Sequence, residues 1–297
     1  QHFLWFLTFS FLMLQAIFCY ADENREMNGW PRFRGPAGNG ISGCRDWNPL
    51  LIKNPLPVRW NIDVGAGYAN VSIKGSRLYT LGNKNKKDTI YCINHEPGDI
   101  TWEFSYPCPT QGYYPGTRAT PCIDGNRVYT LSREGHIFCF NADTGDVLWR
   151  KHLVKNFRGK IPTWGFSGSP VIDGNILYLT AFRNGIALDK ATGKKIWQSP
   201  HGPCGYTTPV FCTINKRSSL IFASCNTLFA VEPLTGKVQW SYPWQTDHGA
   251  NTTDPLVFGN NILISSSYGM GSTCIRIKEN IPTVTWTQEK MSSHFPN

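Results

Sequence analysis

The chain has 297 residues, of which 41% are hydrophobic, 13% aromatic and only 16% charged, and its formal net charge is +9. This composition excludes an intrinsically disordered chain, and 28 Gly and 20 Pro are typical of a chain that turns often. The basic residues are dispersed apart from two clusters, at 84–87 and 151–160. We therefore interpret the excess as ordinary surface charge and expect no nucleic-acid partner.

The N-terminal segment is nearly all apolar from Phe3 to Phe18 and continues through Cys19 and Ala21 into a charged stretch. An apolar run that ends in small residues is typical of a secretory signal peptide, which we place at residues 1–21. Its usual charged start is missing and the chain begins with Gln1, so we expect this signal to be N-terminally incomplete. The run is short for a membrane span. We predict a cleaved signal and an exported protein, periplasmic or extracellular, that does not span the membrane.

Residues 22–57 follow as a leader rich in Gly, Pro and aromatic residues, for which we predict irregular structure. The segment Val58–Ile62 then alternates like a β-strand around Trp60. It resembles the final strand of the units described next, without the three strands that should precede it.

From Trp60 onward the chain repeats one pattern. Tryptophans stand at positions 60, 102, 149, 197, 240 and 286, so the steps are 42, 47, 48, 43 and 46 residues. Three consecutive units share a small residue ten positions before the tryptophan, Thr five before and Gly four before, namely Gly145 with Trp149, Gly193 with Trp197, and Gly236 with Trp240. Trp102 ends a weaker copy and Trp286 a degenerate one. We predict that these indoles and glycines dock neighbouring units together.

Each unit reads as four short strands. In the third, Asp173-Gly174-Asn175 is a turn between two apolar runs, and Asp189 to Gly193 is a second such turn. The five units run approximately over 70–104, 118–152, 167–199, 207–242 and 252–288, with an apparent insertion at 213–219 in the fourth. Four antiparallel strands at this period predict an all-β fold, the β-propeller. Five units fall short of a ring of about eight blades. We therefore predict that residues 58–297 are an incomplete, C-terminally truncated propeller.

The string A-x-D-x-x-T-G-x-x-x-W from Ala187 to Trp197 resembles the tryptophan-docking motif of pyrroloquinoline-quinone (PQQ)-type propeller repeats. That family includes quinoprotein alcohol dehydrogenases, the outer-membrane assembly lipoprotein of the β-barrel assembly machinery, and many unassigned secreted propellers. The resemblance spans Trp60 to Trp286. It implies the fold but no particular activity, because catalytic and non-catalytic members share the repeat.

Candidate functional residues lie in the connections between units, which should gather on one face. These segments are 66–70, 107–118, 157–166, 201–207 and 247–252. We predict that their aromatic, cationic and polar side chains form a ligand face, consisting of Tyr114, Arg118, Lys160, Trp164, Tyr206, Asp247 and Asn251, with Tyr113, Arg158 and His248 nearby. Such a set suits a planar anion or an extended peptide. In the alternative, the loops pack only on one another and on the leader.

The resemblance to quinoproteins implies a sharper test, since those enzymes use an acidic base beside a bound calcium, and many carry a disulfide between neighbouring cysteines. This chain has no Cys-Cys pair, and Asp247 and Asn251 are the only ligand-face residues of the right type for calcium. We assign no catalytic or metal-binding residue; PQQ and calcium stay open as cofactors.

Our leading hypothesis is a non-catalytic exported propeller that binds a protein or polymer partner on its loop face, in cell-envelope assembly. Two alternatives stay open: a PQQ-dependent alcohol dehydrogenase-like quinoprotein, and a polysaccharide-binding propeller that uses Trp164 and the tyrosines.

Cysteines add a further expectation. Cys92 and Cys139 occupy the small position of the repeat, where we expect burial as small apolar groups. Cys108 and Cys204 lie in connections and would pair only in an oxidising compartment.

Overall fold

The computed structural model describes residues 29–44, 48, 50, 56–109 and 114–293. The chain forms two compact units, one of residues 29–42 and 48–297 and the other of residues 1–28 and 43–47. The second unit falls almost wholly outside the described residues, and so does the predicted signal peptide at 1–21. Within the described residues, no helix has both the length and the apolar character that crossing a membrane requires.

The larger unit is built from five antiparallel sheets, each made of strands consecutive in the chain. The first sheet has five strands: β1 (Gly29–Trp30), β2 (Ser72–Lys74), β3 (Arg77–Lys84), β4 (Lys87–Asn94) and β5 (Ile100–Pro107). The second has β6 (Cys122–Asp124), β7 (Arg127–Leu131), β8 (His136–Asn141) and β9 (Val147–His152). The third has β10 (Val171–Asp173), β11 (Ile176–Leu179), β12 (Ile186–Asp189) and β13 (Lys195–Gln198).

The fourth sheet has β14 (Val210–Ile214), β15 (Arg217–Ala223), β16 (Thr227–Val231) and β17 (Val238–Pro243). The fifth has β18 (Leu256–Phe258), β19 (Asn261–Ser266), β20 (Gly271–Lys278) and β21 (Ile281–Gln288). A short helix, Leu153–Phe157, and a 3-10 turn, Asp247–Gly249, lie in the connections. The all-β prediction and the four-stranded antiparallel blade are therefore confirmed.

The structure corrects two details of the predicted strands. The apparent insertion at 213–219 is wrong, because β14 and β15 simply run longer and meet in a two-residue turn at Asn215 and Lys216, both with positive φ. Two-residue hairpin turns with positive φ usually contain glycine, and no glycine is present there. The segment Val58–Ile62 carries no strand pairing among the described residues. Trp60 nevertheless donates its indole N–H to the carbonyl of His95 at 2.8 Å.

The hydrophobic core lies between consecutive sheets rather than within one. Side chains of the first and second sheets form one buried cluster, and further clusters join the second to the third, the third to the fourth and the fourth to the fifth. Cys92 and Cys139 are fully buried in two of these clusters. Cys108 and Cys204 are free thiols in different clusters, so the pairing considered for them does not occur.

Three of the four predicted docking tryptophans are bound to the turn of the following sheet. The ring of Trp149 packs on Gly193, where an added Cβ would stand 2.8 Å from Cε3, and its Nε1 donates to the carbonyl of Lys190 at 3.0 Å. The same contacts recur one unit before and one after, as Trp102 on Gly145 with a bond to Ala142, and Trp197 on Gly236 with a bond to Pro233. Trp240 is buried between the fourth and fifth sheets.

Two buried tyrosines reinforce this contact. The Tyr129 hydroxyl donates to the same Lys190 carbonyl at 3.1 Å, and the Tyr79 hydroxyl donates to the Ala142 carbonyl at 3.0 Å. The Lys190 carbonyl thus accepts two side-chain hydrogen bonds across its sheet boundary, and the Ala142 carbonyl accepts a third, longer one from Arg77 at 3.4 Å.

The residues just before the first strands are linked by a hydrogen bond that recurs from sheet to sheet. At each step a backbone N–H donates to a side-chain oxygen of the equivalent residue in the next sheet. The four distances are 3.3, 3.0, 3.1 and 2.8 Å, for Asn70 to Thr120, Thr120 to Ser169, Ser169 to Thr208, and Thr208 to Asp254. These bonds fix the starting points of the connections that carry the candidate site.

The leader, predicted to be irregular, contributes β1 and crosses these first strands. β1 pairs antiparallel with β2, and the carbonyl of Pro31 accepts the backbone N–H of Ile123 at 2.7 Å. Further along, the guanidinium of Arg34 lies 3.9 Å from the carboxylate of Asp254, and both side chains are buried. The leader therefore contacts the first, second and fifth sheets.

Candidate functional site: the loop face

Connections between sheets leave the strands at the same end as the loops that join second to third strands, because strand direction alternates within each sheet. We call this end the loop face, defined by residues 66–70, 108–109, 114–121, 153–170, 199–209 and 244–255 together with the loops 85–86, 132–135, 180–185, 224–226 and 267–270. The opposite end carries the tight hairpin turns.

Four predicted residues come together on the loop face. Arg118 donates from its guanidinium to the carbonyl of Tyr114 at 2.8 Å, and the ring of Tyr114 lies 6.2 Å from that of Trp164. The backbone N–H of Trp164 donates to the hydroxyl of Tyr206 at 3.4 Å. Tyr114 is 61% exposed, Trp164 is half-buried and Tyr206 is buried. The result is a graded aromatic surface around one guanidinium.

Tyr68 completes this surface. Its ring lies under the Arg118 guanidinium, 5.6 Å from ring centroid to carbon, and it is 58% exposed. A parallel bridge between Gly67 and Thr117 holds the two segments side by side. An exposed cation over a tyrosine face is stabilised by about 0.5–1 kcal/mol. Because this interaction is weak, Tyr68 positions the Arg118 guanidinium more than it neutralises its charge.

Arg133 lies at the base of the same surface, buried beneath the segment that carries Trp164. Its carbonyl accepts the N–H of Phe166 at 2.9 Å, and its side chain packs on Gly165. It is paired with its neighbour Glu134 at 3.2 Å, while its Nε has no hydrogen-bond partner among the described residues. Burial, and next the positive charge of Arg133, lower the pKa of Arg118.

The other predicted residues do not join this set. Lys160 is exposed, as is Asp247. Asn251 is buried, with its amide N–H groups donated to the carbonyls of Ser224 at 2.7 Å and Trp244 at 2.9 Å. Its buried side chain therefore stabilises the loops through these hydrogen bonds. Tyr113 lies outside the described residues.

A calcium ion needs several oxygen ligands that face one point. The two residues of suitable type do not provide them, since the amide of Asn251 is already bound within the fold and the side chain of Asp247 is exposed. In the described part of the chain, no three His, Cys, Asp or Glu side chains lie close enough to hold a metal ion. These residues therefore do not fit the calcium site that the quinoprotein resemblance implies.

Asp254 is an additional ionisable group that the sequence did not single out. Burial raises its pKa to about 7, against the lowering effects of the Thr208 N–H and of Arg34. Burial prevails because the Arg34 nitrogen, at 3.9 Å, is at the outer limit of an ion pair. Tyr68 and Arg133 were also missed. Tyr68 lies in a segment that we had selected, but the only signal for Arg133 was its place in a predicted second-to-third-strand loop.

The structure has sheets of four antiparallel strands in which a tryptophan of one sheet binds a turn of the next. This arrangement defines a β-propeller of PQQ-type repeats. Comparison with known families agrees: the model described as outer membrane protein assembly factor BamB matches residues 86–296. The chain belongs to this family.

Individual relatives include both assembly factors and enzymes. A polyvinylalcohol dehydrogenase of Sphingopyxis sp. is 28% identical over 163 residues, which cover 54% of this chain and 23% of that protein. Among solved structures, a europium-containing methanol dehydrogenase has a TM-score of 0.65 at 16% identity, covering 89% of this chain and 58% of that one. BamB from Moraxella catarrhalis has a TM-score of 0.56 at 16% identity, covering 78% and 64%. The chain spans less than a quarter of the first curated relatives' length.

Proposed function

We propose that this protein is an exported, non-catalytic binding protein that recognises a protein or polymer partner through its loop face, in cell-envelope assembly. The observation that carries the proposal is the surface formed by Tyr68, Tyr114, Arg118 and Trp164, where exposed and half-buried aromatic rings lie together with a guanidinium. Tyr, Trp and Arg are the residues that most often anchor protein interfaces, because they combine a large contact area with a hydrogen-bonding group.

Family membership supports the same proposal, since the matching family model is described as an assembly factor. The apolar run at 3–18 supports export. The poor fit of Asp247 and Asn251 to calcium weighs against the quinoprotein alternative. The similarity to a polyvinylalcohol dehydrogenase is the observation in favour of that alternative.

A pair of photo-crosslinking variants tests partner binding. A photoreactive phenylalanine is placed in the full-length protein at Tyr114 on the loop face, and at Leu234 in a hairpin turn at the opposite end. The two sites are 61% and 68% exposed, so their intrinsic reactivities are matched. Irradiation of intact cells should give a discrete adduct from position 114 and none from 234. Adducts of equal yield at both positions, or none at 114, would refute loop-face binding.

A titration with PQQ and calcium tests the non-catalytic part. We expect no stoichiometric uptake of PQQ and no alcohol-dependent dye reduction by the full-length protein. Tight uptake together with dye reduction would establish the enzyme alternative instead. The polysaccharide alternative predicts binding to a glycan that Trp164→Ala weakens, and unchanged affinity in that variant would eliminate it.

A further inference from the structure

The two ends of the sheets differ in charge. Between the strands, the loop-face segments carry seven cationic and three acidic residues, which are Lys86, Arg118, Arg133, Lys155, Arg158, Lys160 and Arg183 against Glu134, Asp247 and Asp254. The segments at the opposite end carry four cationic and six acidic residues, which are Lys190, Lys194, Lys216 and Lys237 against Glu96, Asp99, Asp143, Asp146, Glu232 and Glu279. The loop-face segments therefore carry a net charge of +4 and those of the opposite end a net charge of −2, so the end with the aromatic surface is the more positive of the two.

Within the loop face, the cations concentrate on the first three sheets and few of them are compensated. In the described residues Glu134 pairs with Arg133 and Asp254 pairs with Arg34, while Asp247 lies in the connection between the fourth and fifth sheets. Among the described residues, Arg118 has a tyrosine face and a backbone carbonyl as partners, and no described carboxylate lies within ion-pair distance of it. A guanidinium whose described partners are all neutral lacks an anion.

We propose that Arg118 is the anchor for a carboxylate side chain in an acidic segment of the partner protein, with Tyr68, Tyr114 and Trp164 packing around it. This inference rests on the proposed function and specifies the chemistry of the partner. A guanidinium matches a carboxylate with two parallel hydrogen bonds, and the exposed aromatic rings exclude water from the pair.

The geometry favours an acidic peptide over a nucleic acid or an anionic lipid surface. Nucleic-acid binding depends on many exposed cations that follow a phosphate backbone. Here Arg133 is only 5% exposed, and the half-buried Arg118 lies over the Tyr68 ring and donates to the Tyr114 carbonyl. These two groups do not form a track of exposed cations, and Arg118 offers a single point of contact. Arg183 is engaged over the ring of Phe229, which leaves Lys155, Arg158 and Lys160 to attract the flanking acidic residues.

The test uses a fluorescently labelled poly-glutamate peptide and the full-length protein, with anisotropy measured at low and at physiological salt. Arg118→Gln should weaken binding by on the order of 10-fold or more, the typical value of a charge-assisted pair. Arg118→Lys, which keeps the charge and loses the paired geometry, should recover only part of this loss. The control Lys216→Gln removes one charge from the opposite end and should change the affinity by less than about twofold.

Each alternative result overturns the inference. Equal weakening by Arg118→Gln and Lys216→Gln would show that binding follows net charge alone. Binding of heparin, or of vesicles containing anionic lipid, without binding of poly-glutamate would assign the surface to another class of partner. If poly-glutamate fails to bind while crosslinks form at position 114, the proposed function stands and the acidic anchor does not.

Discussion

The docking of each tryptophan on the next unit's glycine predicts a large difference between two glycine substitutions within one sheet. Gly193 and Gly174 both have positive φ, +67° and +53°. An alanine at Gly193 would place Cβ 2.8 Å from the Trp149 ring, whereas at Gly174 nothing lies within 4 Å. The left-handed conformation costs about 1–2 kcal/mol at either position, so this part cancels in the comparison.

The remaining difference in cost between the two substitutions comes from displacing the indole of Trp149. Moving a packed ring costs about 1–3 kcal/mol, and stretching its 3.0 Å bond to the Lys190 carbonyl costs up to about 1 kcal/mol more. We therefore expect Gly193→Ala to lower the free energy of unfolding by about 1–4 kcal/mol more than Gly174→Ala. In a domain of this size that difference corresponds to roughly 2–15 °C in Tm, measured by circular dichroism.

A double substitution checks the cause. If Trp149 is replaced by Leu, the added methyl no longer meets a ring, and the cost of Gly193→Ala should fall to that of Gly174→Ala. Equal Tm losses for the two single glycine variants would refute the docking argument, and so would a glycine cost that does not depend on Trp149.

Two further predictions concern buried polar groups. Because the folded protein raises the pKa of Asp254 to about 7 from an ordinary 3.8, it binds the proton more tightly than the unfolded chain, so stability should fall as pH rises from about 4 to 7, by up to about 4 kcal/mol. Asp254→Asn keeps an oxygen for the Thr208 N–H and should flatten the dependence of Tm on pH; an unchanged slope would count against the buried carboxyl. Asn251→Asp loses both amide donations and should lower Tm by an amount that calcium does not restore, whereas rescue by calcium would return Asn251 to the role of a ligand.

The sequence predicted the sheets well because each depends on local, repeated signals. An apolar run, a turn with Asx and Gly, and a tryptophan at a fixed distance recur in most units, and they are sufficient to locate four strands. Prediction was wrong where one signal was absent, as in the glycine-free turn at Asn215 and Lys216. It also failed at Val58–Ile62, because a strand is defined by its partner and a single segment does not reveal whether one is there.

The candidate site was less predictable. Topology placed Tyr114, Arg118, Trp164 and Tyr206 on one face, and the structure brings them into a chain of contacts. Residue type alone did not distinguish them from Asn251, whose amide is consumed inside the fold. The difference is burial, which depends on how five separate connections pack against each other and is not a local property of any of them.

One deviation from the repeat has an energetic cost. At the position before the first strand, three sheets use neutral hydroxyls, those of Thr120, Ser169 and Thr208, to accept the backbone N–H of the equivalent residue in the preceding sheet. The fifth uses Asp254, which accepts that bond equally well but adds a charge that burial opposes. A hydroxyl would satisfy the structure at lower cost, so the carboxylate has to be explained by something outside the repeat. Arg34 of the leader is that partner, which ties this position to a segment whose sequence carries no copy of the repeating unit.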